Sequence, residues 1–277
     1  MKVEEFQKLV EYISKHYTVV GLHNMGDKAS KPKIVLSFDD GYYDFIENVL
    51  PLLLDKGLPS NMNVVTDCLE KKELIWTQRI NNILNFLYKE RKKILLALPY
   101  TTINIDFSRQ NIVYYKNKIQ SELYHSTIDE IRTILTLAEK SIENYQISKN
   151  DRMMDWNDVL YCHQKGVTIG SHTQSHAPLQ YVTNENILYK ELAGSKQIIE
   201  EKLNAKIDVM AYANGFYNDK VIEVSTKVGY KYLLLVKNKF YYLSKKPGSC
   251  CQIPRILIHH NDTYSNLLVA SGISTFR

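Results

Sequence analysis

Ser37-Phe38-Asp39-Asp40-Gly41 follows the apolar run Ile34-Val35-Leu36. A buried strand therefore ends on two adjacent carboxylates, and a glycine turns the chain. Two acids side by side at a strand end repel each other and are costly to desolvate. A cation beside them, or a proton held for chemistry, relieves that cost. Asp-Gly is also a common turn signal. Taken alone, the pair tilts only slightly towards a functional site, and the surrounding chain has to decide.

Working outward, residues 43–54 have helical spacing, interrupted or kinked at Pro51, with Gly57 as the stop. Met62-Asn63-Val64-Val65 is the next strand, so the unit is strand–helix–strand and predicts parallel pairing. The alternation continues along the chain. Strands are expected at 18–22, 33–38, 167–170, 207–212, 230–236 and 252–258. Helices are expected at 3–15, from Asp155 to Gly166, at 183–203 and at 219–228. In the 183–203 helix, Thr183 is the expected cap, and Ile187, Leu188, Leu192, Ile198, Ile199 and Leu203 are expected to face inward. This order favours a parallel sheet or an α/β barrel. Residues 73–147 differ. Ile75, Ile80, Ile83, Leu84 and Leu87 are helically spaced, as are Ile128, Ile131, Ile134, Leu135 and Leu137, with an alternating stretch at 101–105 between them. No pair of acids or histidines sits there at chemical spacing, and His125 reads as a surface residue. We expect one domain, 1–277, with a mostly helical insertion at 73–150 that covers the site.

Polar clusters follow four of the strands: Asp39-Asp40, His172 to His176, Tyr212 to Asn218, and Arg255 to His260. Catalytic groups gather at the C-terminal ends of strands in such folds. His172 and His176 are four apart. On a helix that spacing makes a metal pair, but Pro178 and the preceding strand favour a turn, and an isolated pair reads equally as two unrelated loop histidines. An Asp from another strand end changes the balance. Two imidazoles and a carboxylate are the donor set of hydrolytic zinc sites and related divalent-metal sites, with positions open for water and substrate. Only one Asp need bind the metal, and the other is then free as a general base.

The chain has 277 residues, 44% hydrophobic and 23% charged, which is globular composition with ample length for a core. The net charge of +5 is mild and the lysines are scattered. A nucleic-acid partner is therefore not expected, and the charge reads as a solvated basic surface open to anionic polymers or lipid headgroups. Residues 1–6 lack the apolar core of a signal peptide, and no apolar run is long enough to span a bilayer, so a cytoplasmic location is the expectation. Cys68, Cys162, Cys250 and Cys251 have no metal or redox spacing and read as reduced thiols. The 20 tyrosines suit sugar rings, although compositional bias explains them as well.

The two motifs together resemble those of the polysaccharide deacetylases of the NodB-homology type, carbohydrate esterase family 4. Their T-F-D-D-G stands here as Ser37-Phe38-Asp39-Asp40-Gly41, and their H-[ST]-x-x-H as His172-Thr173-Gln174-Ser175-His176, within a similar run from Trp156. The resemblance covers roughly 30–75 and 150–258. It implies a distorted (β/α) barrel that hydrolyses an N-acetyl, sometimes O-acetyl, group on an amino sugar. It further implies Asp39 as base and Asp40, His172 and His176 as ligands of one divalent metal, Zn2+ first, with Co2+ or Ni2+ as alternatives. The backbone N–H of Tyr42 would stabilise the oxyanion.

Departures are visible. The third motif, R-x-P-[YF], is absent. Tyr212-Ala213-Asn214-Gly215 resembles a variant of it, with Ala213 where proline is usual, and Tyr212 and Asn214 are substrate-side candidates. No arginine stands there to orient Asp39, and Arg255 of the last strand is the candidate to supply that charge. The usual strand Thr-Phe-Phe is Asn61-Met62-Asn63, which makes the barrel wall more polar. His259 or His260 would be the general acid, and spacing does not select between them. The expected function is a metal-dependent sugar N-deacetylase acting on a polysaccharide, an oligosaccharide, or a lipid- or nucleotide-linked precursor. The alternatives are a catalytically silent carbohydrate-binding chain and a hydrolase of another small amide.

Overall fold

The computed structural model describes residues 1–147, 151–237 and 250–258. Its strands are β1 (Thr18–Val19), β2 (Lys33–Ile34), β3 (Ser37–Phe38), β4 (Asn61–Val64), β5 (Ile94–Ala97), β6 (Thr102–Ile105), β7 (Thr168–Ser171), β8 (Val209–Ala211), β9 (Tyr232–Val236) and β10 (Cys251–Arg255). The helices are α1 (Val3–His16), α2 (Leu50–Asp55), α3 (Thr66–Lys71), α4 (Trp76–Lys89), α5 (Ile112–Leu123), α6 (Ile128–Ser141), α7 (Trp156–Gln164), α8 (Glu185–Tyr189), α9 (Ser195–Leu203) and α10 (Asp219–Val228).

Six strands form one parallel sheet in the order β10-β9-β8-β7-β4-β3. The segment 33–38 changes neighbours midway. Its first half pairs with β1, and from Leu36 onward it pairs with β4. The sheet curls, so this is the distorted (β/α) barrel that the resemblance implies, with an opening between β3 and β10.

Both faces of the sheet are apolar, which is why its strands read as continuous hydrophobic runs. Met62, Val64, Ile169, Met210, Leu233 and Leu235 pack outward against Val159, Leu192 and Ile199 of the helices. The alternate residues Val209, Ala211, Leu234 and Ile253 point inward, where Leu22 packs against them. Each fully buried aliphatic side chain contributes about 1.5–3 kcal/mol to folding. Other inward positions are instead polar, Ser37 and Asn61 at the starts of β3 and β4 and Asn63 and Arg255 towards the C-terminal ends of β4 and β10.

Between α3 and α7 the chain builds a second core. Trp76, Ile80, Leu84 and Leu87 of α4 pack with Tyr115 and Ile119 of α5 and Ile131 and Leu135 of α6, and β5 and β6 lie against them as an antiparallel hairpin. Alternation at 101–105 predicts β6, whereas Ile94-Leu95-Leu96-Ala97 of β5 has no polar alternation to betray a strand.

Two helix readings are corrected. Asn184, not Thr183, caps the helix that follows the histidines, accepting from the N–H groups of Asn186 and Ile187. Ile187 is 43% exposed rather than inward. A π-helical stretch, Lys190–Gly194, separates α8 from α9 and shifts the phase of the apolar face, which a uniform 3.6-residue period cannot anticipate. A second π stretch, Phe45–Val49, precedes α2 and leaves Pro51 in a first turn, where its missing N–H is harmless.

Candidate metal and catalytic centre

The loops after β3 and β7 meet at the C-terminal ends of the strands. Asp40 Oδ1 lies 3.3 Å from Nε2 of His172 and 3.3 Å from Nε2 of His176. The chain adopts left-handed backbone to achieve this: φ is 75° at Asp40 and 86° at Gly41, 72° at Thr173 and 61° at His176. Such a conformation costs about 1–3 kcal/mol at a non-glycine residue and persists where surrounding structure enforces it. For β-branched Thr173 it is a clear outlier.

These residues fit a divalent cation. His172 Nδ1 lies 2.8 Å from the Ala211 carbonyl, so Nδ1 carries the proton and donates it, leaving the Nε2 lone pair facing Asp40. The candidate ligand atoms lie within 4.8 Å of one another. A tetrahedral site with bonds near 2.0–2.2 Å spaces its donors by about 3.3–3.6 Å, and the two Asp40–His contacts match that. Burial pushes the Asp40 carboxyl upward, but the His172 and His176 rings beside it outweigh this and hold it far below the usual carboxylate range. At His172 burial favours the neutral ring, yet the charges of Asp39 and Asp40 raise its pKa overall.

A buried acid holds the histidine loop. Glu191, on the π stretch, is 6% exposed and accepts from Gln174 N–H at 3.0 Å, Ser175 N–H at 2.9 Å and Ser175 Oγ at 2.6 Å. Thr173 Oγ1 accepts from His176 N–H at 2.8 Å, and Trp76 Nε1 donates to the His176 carbonyl at 2.9 Å. Neither Glu191 nor Trp76 was singled out from the sequence. The available signal for Glu191 was an acid next to Leu192 on the apolar face of a helix.

Asp39 is gripped from two strands. Arg255 Nη1 and Nη2 donate to its two oxygens, each at 2.8 Å, and Nη1 also reaches Ser37 Oγ at 3.1 Å. Asn63 Nδ2 donates to Asp39 Oδ1 at 2.7 Å. Burial raises the Asp39 pKa, and the charges of Arg255 and His172 more than reverse it, so the group stays below its ordinary value.

The other candidates fall in different places. The main-chain bonds from Tyr43 to Arg152 and from Met154 to Gly41 flank Tyr42, so its own N–H takes no part in that pairing. The Tyr212 side chain is a correction. It is fully buried in the helix-side core, with its hydroxyl donating to Ser225 Oγ at 3.1 Å, because it has the outward parity on its strand. Asn214 is exposed in a 3-10 turn at φ 54°. His259 and His260 lie outside the described residues.

The polysaccharide deacetylase family profile matches residues 125–233, a span that holds both histidines but neither Asp39 nor Asp40. A sequence search of curated proteins found no match. Among solved structures, the chain is similar to the Streptococcus pyogenes deacetylase PplD, solved in complex with acetate, at 15% identity and TM-score 0.60, covering 97% of this chain and 86% of that one. It is similar to IcaB from Ammonifex degensii at 13% identity and TM-score 0.58, covering 98% and 90%. It also resembles a polysaccharide deacetylase from Bacillus cereus at 17% identity and TM-score 0.59, covering 97% of this chain and 61% of that one.

Proposed function

We propose that this chain, which matches the polysaccharide deacetylase profile over residues 125–233 and shares the fold of solved deacetylases, is a metal-dependent hydrolase that removes an N-acetyl group from an amino sugar. The observation that carries the reading is the convergence of Asp40, His172 and His176 on one point, with Asp39 held beside them. Asp40, His172 and His176 would hold a divalent ion, Zn2+ by its donor set, with Co2+ and Ni2+ as alternatives. Such an ion supplies Lewis acidity and lowers the pKa of water.

The remaining roles belong to the same proposal. Asp39 is the base. Its lowered pKa keeps it ionised at neutral pH and some way below, so a proton arriving from the attacking water finds a free carboxylate. Arg255 keeps both its oxygens in register through a bidentate contact. The Tyr42 N–H is the proposed donor to the oxyanion, where fixed dipoles act without reorganising. His259 or His260 is the proposed acid for the leaving amine. No described helix is long and apolar enough to cross a membrane. We place the substrate among polysaccharides, oligosaccharides and lipid- or nucleotide-linked precursors, with a cytoplasmic location and contact with a membrane surface as further parts of the proposal.

Acetate release from N-acetylglucosamine-containing substrates tests the reaction. The wild-type chain loaded with Zn2+ should release acetate, and Asp39→Asn should abolish it. Metal analysis should find about one ion per chain, lost in His172→Ala. A chain that binds metal and sugar but never releases acetate would instead be a silent carbohydrate binder. Metal retained by His172→Ala would overturn the ligand set.

A further inference from the structure

Asn63 is fully buried on β4, and its position looks unfavourable. Its Nδ2 donates to Asp39 Oδ1 at 2.7 Å, with longer contacts of 3.3 Å to Ser37 Oγ and to the Phe38 carbonyl. Its Oδ1 is buried with no hydrogen-bond partner. An orphaned buried acceptor is destabilising, and an apolar side chain of the same shape avoids that cost. The neighbouring strand gives way as well. A Cβ at Gly170 would lie 2.2 Å from Asn63 Oδ1 and 3.0 Å from Val209, so only glycine leaves room for the amide. The fold bears an unsatisfied oxygen and a strand glycine, and the amide's shortest contact is its bond to Asp39.

The direction of that bond explains its use. Asp39 follows β3, whose partner on one side is β4 and whose other side faces β10 across the barrel opening. Arg255 grips the carboxylate from β10, and Asn63 grips it from β4. The fork of Arg255 fixes the carboxylate relative to a long side chain that can itself shift, and the bond from Asn63 on the opposite strand ties it to the sheet. A neutral donor adds this without a second buried cation to desolvate. We propose that Asn63 is a positioning residue for the reaction: it fixes the orientation of Asp39 and leaves substrate binding and the metal ligands unaffected. This rests on Asp39 being the base.

The test compares Asn63→Leu, Asn63→Ser and Asp39→Asn with the wild type, all Zn2+-loaded, on N-acetylglucosamine oligosaccharides. Asn63→Leu removes the donor and the orphaned oxygen at once, and Asn63→Ser is too short to reach Asp39 without adding bulk, so it serves if the leucine variant fails to fold. Both should lose kcat on the order of 10- to 100-fold, with KM and metal stoichiometry unchanged. The melting temperature of Asn63→Leu should equal or exceed that of the wild type. A structural role would instead lower the melting temperature and move KM or metal content together with kcat. Wild-type kcat in both Asn63 variants, with Asp39→Asn inactive, overturns the positioning role alone. Full activity in Asp39→Asn overturns the base assignment itself.

Discussion

At the scale of single residues, the centre depends on how Asp39 is held. Arg255 and Asp39 are 216 positions apart in the chain, yet they form a two-bond contact with both side chains largely buried. Lysine keeps the charge but presents a single ammonium, which cannot bridge two carboxylate oxygens. Arg255→Lys should therefore lower kcat by about 10-fold or more while KM stays within a few-fold, read from steady-state acetate release. Arg255→Ala should also destabilise the fold. Stripping the partner from a fully buried ion pair costs about 3–5 kcal/mol. The Asp39 side chain is 24% exposed and keeps its bond from Asn63, so about 1–3 kcal/mol is expected in urea unfolding. A loss of stability equal to that of Arg255→Lys would show that the bidentate contact, not the charge, matters. At this scale Asp39, Asp40, His172 and His176 were legible, because adjacent acids and a four-residue histidine interval are unusual local patterns. Tyr212 was misread because a strand's parity decides which way a side chain points, and that parity is set by neighbouring strands.

At the scale of elements, the loop between His172 and His176 does not hold itself. Two of its residues have positive φ, and its inner N–H groups are satisfied by Glu191 from the following helix. Glu191→Ala should leave the Ser175 N–H and hydroxyl buried without the carboxylate, while the Gln174 N–H keeps its 3.2 Å bond to the residue-191 carbonyl, at about 1–3 kcal/mol of stability. It should also weaken Zn2+ binding by roughly 10- to 100-fold, as loss of groups supporting metal ligands commonly does. Competition with a zinc-chelating dye measures this. Unchanged affinity would show that the loop keeps its shape without the carboxylate. The π stretch that carries Glu191 explains why the sequence reading missed it. The extra residue shifts the apolar face, exposing Ile187 while turning an acid inward, so the regular period places Leu188, Leu192, Ile199 and Leu203 correctly but misplaces Ile187 and passes over Glu191.

At the scale of the molecule, two apolar cores meet along a charged seam. Arg132 of α6 contacts Asp67 at 2.7 Å and Glu73 at 2.6 Å, and Gln174, between the histidines, donates to the same Asp67 at 3.2 Å. Burial raises the Asp67 pKa, and its bonds from Lys71, Arg132 and Gln174 reverse this, so it is lower in the folded chain. A group depressed on folding contributes stability above its unfolded value, near 3.9, and that contribution disappears as pH falls through the folded value. Wild type should therefore be more stable than Asp67→Asn at pH 7, and the gap in urea midpoint should narrow as the pH is taken below 4. A gap independent of pH would mean that the ion pairs at Asp67 contribute nothing to the seam.

The sequence by itself determined the alternating strands and helices, the acids and histidines at strand ends, and the resemblance to polysaccharide deacetylases. Each of these is written in residues a few positions apart, where backbone period and local chemistry act. Only the tertiary structure decided that Arg255 and Asn63 meet on Asp39, that Glu191 lies beneath the histidine loop, and that Tyr212 faces the helices. Those contacts depend on the curl of the sheet, which brings its first and last strands together, and on helix phase. Neither leaves a mark in local spacing, because contact across the barrel is set by how the whole sheet packs.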